Sequence, residues 1–500
     1  MHLTRLAEEL GDRPAVVQGG SGATLTYAEL ERQSNQVAHV LADLGLGFGD
    51  HIALLVENQI EVFPVVWAAQ RSGLYYTPVN WHLTVDEAAY IVDNCEATVL
   101  VFSPGLAALA AEVSRRSSRT VRLMRLGEEV EGAVGFVAGA PATPLAAEIE
   151  GYPMFYSSGT TGRPKGILPE LLGTPFGTGL QADGLMGTAF GLGPGSVYLS
   201  PGPLYHAAPL GWSLGTMRHG GTVVVMERFD AAESLRLIER YAVTHAQFVP
   251  TMFVRMLKLP EAERTSYAVD SLQVVIHAAA PCPVEVKRQM IDWFGPKLVE
   301  YYAGSEGTGF FMIDSASWLA HPGSVGRALL GSPHICDDAG RELPVGEIGT
   351  VWFSDTTRFS YHDDPVKTAG AWNERGWTTL GDLGHLDIEG FLYLADRRTD
   401  LILSGGVNIY PREVEDVLVM HPSVADVAVV GVPDGEFGQR VHAYVKPADP
   451  DADIRALEGV LSSYSRDHLA GFKVPRGFTF IDEFPRLPSG KLLRRMLPHP

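Results

Sequence analysis

Hydrophobic and polar positions along the chain follow two periods. Where the period is near 3.6, helices are expected. Where apolar residues run on unbroken for a few positions, buried strands are expected. Thr26-Tyr-Ala-Glu29 has the form of a capping box and opens an amphipathic helix running to about Leu44. IALLVEN, from Ile52, reads as a buried strand, and EVFPVVWAAQRSG after it as a helix ended by Gly73. HGGTVVVME, ending at Glu227, predicts another buried strand, with Leu235–Tyr241 in the following helix. AVTHAQFVP and LQVVIHAAAP predict successive parallel strands that end in loops. Strands alternating with helices argue for an α/β class. Ligands of such open sheets sit at the carboxyl ends of the strands.

The pattern changes after ADRRTD (Ala395–Asp400). PREVEDVL predicts a helix with Pro411 at its start and Val414, Val417 and Leu418 on one face. VADVAVVGV and VHAYVKP read as strands, and Ile454, Leu457, Leu461 and Tyr464 mark one more helix. The expected architecture is therefore a large multi-subdomain N-terminal domain, residues 1–397, with mixed sheets flanked by helices. A small mobile α+β domain, residues 398–500, is tethered at about residue 398.

A chain of 500 residues that is 46% hydrophobic has material for a large core and exceeds one domain. Its net charge of −20 argues against nucleic acid and anionic lipid as partners. Cys95, Cys282 and Cys336 are far apart and form no CxxC pair, so neither a disulfide framework nor a zinc ribbon is expected. MHLTRLAEEL has no apolar signal core, and no apolar run is long enough to span a bilayer. A soluble, cytoplasmic protein without stable membrane insertion is the expectation.

The candidate chemistry begins at YSSGTTGRPKG, Tyr156–Gly166. Gly159, Gly162 and Gly166 keep side chains away, so backbone N–H groups can converge on an anion. Ser157, Ser158, Thr160 and Thr161 add hydroxyl donors, and Lys165 adds a charge. The loop follows GYPMFY, a predicted strand. It is not a Walker A loop, because G-x-x-x-x-G-K-[ST] cannot be threaded through it.

The loop resembles the phosphate-binding loop of the adenylate-forming superfamily, which includes acyl-CoA synthetases, luciferases and peptide-synthetase adenylation domains. HAAAPCP (His277–Pro283), YYAGSEG (Tyr301–Gly307), LGDLGHLD (Leu380–Asp387), DRRTDLILSGGVNIYPREVE (Asp396–Glu415) and PRLPSGKLLRR (Pro485–Arg495) resemble further motifs of that family, in the family's order. Together they cover nearly the whole chain.

The resemblance implies two steps. A carboxylate attacks the α-phosphorus of ATP to give acyl-AMP and pyrophosphate, and a thiol then takes the acyl group and releases AMP. It implies that Ser157 and Glu306 hold Mg²⁺. Ser305 stands beside Glu306 where Thr is usual, and Ser157 likewise replaces a Thr. Ala279, Ala280, Pro281, Tyr301, Tyr302, Ala303, Gly304 and Ser305 are implied to line the nucleotide, with Tyr302 stacking on adenine. Asp382 accepts the ribose hydroxyls, and Arg397 assists there. Lys491 reaches the reacting oxygens during adenylation. Gly405 and Gly406 admit the pantetheine arm of CoA, with Phe437 beside the thiol route. Thr399 falls on the hinge, where the family usually has Asp or Lys.

By the same resemblance His206 flanks the acid's carboxylate. Trp212, Phe248, Val249, Met252 and Ala278 line an acyl pocket with no evident buried charge, which favours a hydrophobic monocarboxylic acid. The expected enzyme is an acyl-CoA ligase using ATP, Mg²⁺ and coenzyme A. Alternatives are a relative restricted to thioester formation from acyl-AMP and one that passes the acyl group to a separate carrier protein. Relatives are often dimers, so a homodimer is a further expectation. A G-x-S-x-G hydrolase reading fails on Ala303, and HExxH is absent.

Overall fold

The strands His51–Leu55, Tyr75–Pro78 and Val99–Phe102 run parallel because a helix returns the chain after each. The computed structural model describes residues 2–127, 135, 139–157, 164–179, 181–397, 400–404, 407–435, 437–486 and 492–498, excepting the side chains of 157, 181, 182, 396, 397, 408 and 495. Contacts group the chain into two units. One comprises Met1–Gln247, Thr265–Val275 and Thr357–Gly370; the other comprises Phe248–Arg264, Ile276–Thr356 and Ala371–Pro500.

In the first unit one sheet runs in the order Arg122–Arg125, Val99–Phe102, His51–Leu55, Tyr75–Pro78, Tyr152–Pro153, all neighbours parallel. Helices Val62–Arg71, Val85–Asn94 and Ala107–Arg116 make the crossovers. Strands Val197–Ser200, Thr222–Val225 and Pro14–Gln18 form a second parallel set, closed by the antiparallel strand Thr24–Thr26. The capping box at Thr26 and Glu29 is present, and the helix it opens spans Tyr27–Asp43. Tyr27 anchors that helix: its hydroxyl donates to the carbonyls of Met217 and Gly221 at 3.0 and 2.7 Å. The buried charges are paired: Arg71 meets Glu31 at 2.7 Å and Glu148 at 2.9 Å, and Arg218 meets Glu150.

In the second unit, Leu298–Ala303, Phe310–Asp314 and Arg327–Leu330 form an antiparallel run. Ser332–Cys336, Gly349–Ser354, Thr378–Leu386 and Leu392–Arg397 form another. The last hundred residues build around the long hairpin Val424–Asp434 and Gly438–Pro447. Helices Pro411–Leu418 and Ile454–His468 belong to the same region, which has its own core of Val414, Leu418, Val429, Val441, Leu457 and Leu461.

The helix expected from Ile454, Leu457, Leu461 and Tyr464 is present; Leu457, Leu461 and Ser465 form its buried face, and Ile454, the first residue after the Asp453 cap, is 39% exposed. One local expectation needs correction. The strand His245–Phe248 does not run into a loop. Val249 caps the helix Pro250–Leu257 directly, with Pro250 in its first turn, where the missing N–H costs nothing.

Candidate active site

The glycine–threonine loop is held by two strands of the first unit. Phe155–Ser157 and Lys165–Leu168 pair antiparallel with Ser157 opposite Lys165 and Tyr156 opposite Gly166. The chain therefore leaves and re-enters at the foot of the loop. Ser158, Gly159, Thr160, Thr161 and Gly162 lie outside the described residues, as does the Ser157 side chain. A Cβ on Gly166 would lie 2.5 Å from Met154 Cε and 2.9 Å from Tyr156 Cζ, so the foot of the loop has no room for a side chain. Ser360–Tyr361 adds a third strand, which sets the Lys165 ammonium 4.9 Å from the centre of the Tyr361 ring.

His206 caps the helix Ala207–Arg218 in the same unit and makes no side-chain capping bond. Its Nε2 is buried without a hydrogen-bond partner, and burial lowers its pKa to about 4. The imidazole is thus neutral near pH 7, with a nitrogen unsatisfied by the protein. Trp212, two turns further on, is buried edge-on against Phe190 at 4.7 Å.

The adenosine candidates lie in the second unit. Tyr301, Tyr302 and Ala303 end the strand Leu298–Ala303, and Gly304, Ser305 and Glu306 turn the chain toward Phe310–Asp314. The Tyr302 hydroxyl donates to Asp382 Oδ2 at 2.6 Å. Its ring packs on Phe311 and Phe353, with centroids 6.0 and 6.4 Å away. Tyr301 instead stacks on Phe310, 5.1 Å away and 9° from parallel. Sheet register puts Asp382 opposite Arg397, so the two predicted ribose residues are cross-strand neighbours. Gly381, inside the strand Thr378–Leu386 where its pairing register shifts, takes a left-handed φ of 79°, which a glycine adopts freely. Over Gly304, a Cβ would lie 2.9 Å from Glu306 Oε2 and 2.5 Å from Leu380 Cδ2.

HAAAP lies in the same unit. Ala279 sits at φ 73°, strained for a residue with a Cβ. Ala278 is buried, while Ala279 and Pro281 are exposed and Ala280 is half-buried. Phe248 and Met252 are buried, with Phe248 packed on Phe253 at 5.8 Å, and Val249 is half-buried.

Family models fit this arrangement along almost its whole length. The AMP-binding enzyme model matches residues 3–360, and the AMP-binding enzyme C-terminal domain model matches residues 413–491. The chain belongs to the AMP-binding enzyme family. The 2-succinylbenzoate–CoA ligase of Bacillus licheniformis is 33% identical over 507 residues, covering 99% of this chain and 98% of the relative. A fatty acid–[acyl-carrier-protein] ligase of Streptomyces coeruleorubidus is 31% identical, covering 95% and 91%. The solved o-succinylbenzoate CoA synthetase of Bacillus subtilis, bound to its acyl-adenylate intermediate, superposes with a TM-score of 0.82 at 28% identity, covering 100% and 98%. The expected adenylate-forming membership and α/β fold both hold.

Of the family motifs in the last hundred residues, Thr399, Gly405, Gly406 and Lys491 lie outside the described residues, as does the Arg397 side chain. Phe437 is described: its N–H donates to Asp434 Oδ1 at 3.0 Å, and the Arg476 guanidinium lies 4.2 Å from its ring centre. An open cleft of about 290 Å³, lined by His385, Tyr393, Arg412 and Asp416 among others, contains none of the predicted acyl-pocket residues.

One feature beside these candidate residues escaped the sequence reading. Lys287, fully buried, donates to Glu300 Oε2 at 2.6 Å, and its ammonium lies 4.8 Å from the Trp318 ring centre. Buried His277 lies 3.6 Å from the same carboxylate oxygen; burial and the Lys287 charge hold it neutral, well below the usual histidine pKa. His277 begins HAAAP and Glu300 precedes Tyr301, so this cluster ties together the roots of both candidate segments. Its one sequence signal was adjacency to the motifs.

Proposed function

We propose that this family member is an acyl-CoA ligase for a hydrophobic monocarboxylic acid. The observation that carries the reading is the Tyr302–Asp382 hydrogen bond, with Asp382 registered opposite Arg397. It joins an aromatic face and a ribose acceptor, as an adenosine site requires.

In the first step an oxygen of the acid's carboxylate attacks the α-phosphorus of ATP. The Pα–O bond to the β-phosphate breaks, and pyrophosphate leaves with its electron pair. This step brings an anion to a polyanion, so the protein's task is positioning and charge neutralisation. The loop carrying Ser157–Gly162 and Lys165 holds the β- and γ-phosphates. Lys491 meets the carboxylate and α-phosphate oxygens. His206, neutral, offers an N–H to the carboxylate without adding charge. In the second step the CoA thiol loses its proton to solvent, its sulfur bonds to the acyl carbon, and the acyl–phosphate bond breaks to release AMP. Gly405 and Gly406 give the pantetheine arm close backbone passage, and Phe437 flanks the thiol route.

Glu306 and Ser157 would hold Mg²⁺. The donors fit: a carboxylate and a hydroxyl are hard oxygen ligands, and the Glu306 carboxylate lies beside Gly304 with no side chain between them. Bound there, the ion neutralises phosphate charge. The acyl preference rests on the apolar side chains of Trp212, Phe248, Met252 and Ala278. Among the described residues no helix is long and apolar enough to cross a membrane.

The test is pyrophosphate release with ATP and Mg²⁺ across fatty, aryl and polycyclic acids, with and without CoA, following acyl-CoA by mass. Pyrophosphate and acyl-CoA together for one acid support the reading and identify the acid. Pyrophosphate without acyl-CoA, but with acyl transfer to a phosphopantetheinylated carrier, replaces CoA as acceptor. No pyrophosphate with any acid, but thioester from supplied acyl-AMP, restricts the enzyme to its second half-reaction.

A further inference from the structure

The imidazole of His362 carries a nitrogen that the protein leaves without a partner. Its Nε2 is buried and makes no hydrogen bond, and the side chain is 14% exposed. A buried polar atom of this kind needs a reason, and a bound ion is one of the few that apply. Asp363 Oδ2 lies 3.7 Å from it. Glu96 completes a trio: one ligand atom from each of Glu96, His362 and Asp363 lies within 4.8 Å of the other two. All three belong to the first unit. Glu96 follows the helix Val85–Asn94, and His362 and Asp363 follow the strand Ser360–Tyr361.

Neither carboxylate is otherwise engaged. The nearby acids are: Asp364 pairs with Lys367, and Asp50 accepts the Gly47 N–H at 2.8 Å. Among the described residues, Glu96 and Asp363 meet no lysine or arginine at ion-pair distance. Two like charges so close repel one another unless a cation offsets them. A second imidazole stands beside the trio. His51 is stacked on Tyr75 at 4.6 Å, its ring lies 6.3 Å from that of His362, and its Nδ1 is likewise buried without a partner. Burial, and then the neighbouring His362, push its pKa down to about 4, so His51 is neutral near pH 7 and is not the offsetting cation. Arg119 bears on His51 but pairs with neither carboxylate.

We propose that Glu96, His362 and Asp363 bind a divalent transition-metal ion of the Zn²⁺ class. One imidazole nitrogen with two carboxylate oxygens is a ligand set for such an ion, whereas Mg²⁺ and Ca²⁺ take oxygen ligands. Three protein ligands leave room for water in the remaining position. The residues are not those proposed above for Mg²⁺, and the inference stands or falls apart from the acyl-CoA reading. The role is structural. The His362 N–H donates to the Gly166 carbonyl at 2.9 Å, and Ser360–Tyr361 pairs with Lys165–Leu168. An ion on the trio therefore fastens the strands at the foot of the glycine–threonine loop to the end of Val85–Asn94.

The test titrates the full-length chain, stripped of metal by a chelator and dialysed, with ZnCl₂ by isothermal calorimetry near neutral pH and without nucleotide. Native chain, His362→Gln, the Glu96→Gln/Asp363→Asn double variant and Glu306→Gln are compared. The native chain is expected to bind one ion at this site. His362→Gln and the double variant should each weaken that binding at least about 10-fold, since losing a ligand costs no less than losing one of its outer partners. Glu306→Gln should bind Zn²⁺ as the native chain does. Glu96 and Asp363 are exposed, so the double variant should fold, and denaturant midpoints with chelator present check this for every variant. Zn²⁺ should raise the midpoint of the native chain and of Glu306→Gln, and not that of the two site variants. No binding by the native chain overturns the proposal and leaves His362 as a protonated partner of Asp363. Native affinity in both site variants overturns it too, as does loss of binding in Glu306→Gln alone. Displacement of Zn²⁺ by an equal concentration of Mg²⁺ overturns the class of ion and, with it, the part given to the imidazole.

Discussion

The Tyr302 hydroxyl is 2.6 Å from Asp382 Oδ2, and the two residues are 80 positions apart in sequence. The bond holds the carboxylate in place before any nucleotide arrives. Tyr302→Phe keeps the ring and removes the bond. A single hydrogen bond to a charged group contributes about 1.5–3 kcal/mol, so KM for ATP should rise by roughly 10-fold or more, with kcat nearly unchanged. Asp382→Asn should raise it further, since the ribose then loses its charged acceptor. Steady-state pyrophosphate release against ATP concentration reads both. A fall in kcat at constant KM would place Tyr302 elsewhere in the mechanism.

Lys287 and Glu300 make a pair whose partners cannot be separated cheaply. Lys287→Met leaves the Glu300 carboxylate buried without its cation, a change that typically costs about 3–5 kcal/mol. Lys287→Met with Glu300→Gln removes both charges and should recover most of that loss. Denaturant unfolding of the three variants measures it. If the double variant is no more stable than Lys287→Met, the cost lies in packing against Trp318 rather than in the unpaired charge.

Gly304 is placed so that any side chain meets Leu380 and Glu306. Both neighbours are flexible tips and can move, so Gly304→Ala should fold with a loss of about 1–3 kcal/mol. What moves is the carboxylate proposed to hold Mg²⁺. The Mg²⁺ concentration for half-maximal pyrophosphate release should rise severalfold, and thioester formation from supplied acyl-AMP should not change. An unaltered Mg²⁺ titration would remove Glu306 from the metal site.

Local signals were legible where chemistry and geometry coincide over a few residues. The Thr26 capping box, Pro411 at a helix start and the strands with unbroken apolar runs all required only neighbouring positions. The motifs also delivered Tyr302 and Asp382 separately. Their contact was not legible, because it depends on two sheets bringing distant segments together. The approach of Glu96 to His362 and Asp363 escaped for the same reason. Lys287 escaped for another: a lysine in VEVKRQM reads as solvated, and only its neighbour across the fold, Glu300, makes burial tolerable.

His206 yields a pH dependence whose sign is fixed. Its folded-state pKa is about 4, while an unfolded histidine titrates near 6.5. Above pH 6.5 neither state carries the proton, and the group does not affect stability. Between 6.5 and about 4 the unfolded chain takes up a proton that the folded protein refuses, so stability falls as pH falls. The slope is at most about 1.4 kcal/mol per pH unit for one such group, giving a ceiling of about 3 kcal/mol over the window. His51 is lowered to about 4 as well, mainly by burial, and contributes in the same direction. Denaturant midpoints at pH 7 and pH 4.5 should therefore differ more for the native chain than for His206→Gln, which removes one of the groups that act in this direction. At pH 7 His206→Gln keeps an N–H donor, so pyrophosphate release should survive it better than His206→Ala. Equal pH sensitivity in His206→Gln and the native chain would mean that the imidazole is solvated and charges freely, and its place as a neutral donor to the acid would fall with it.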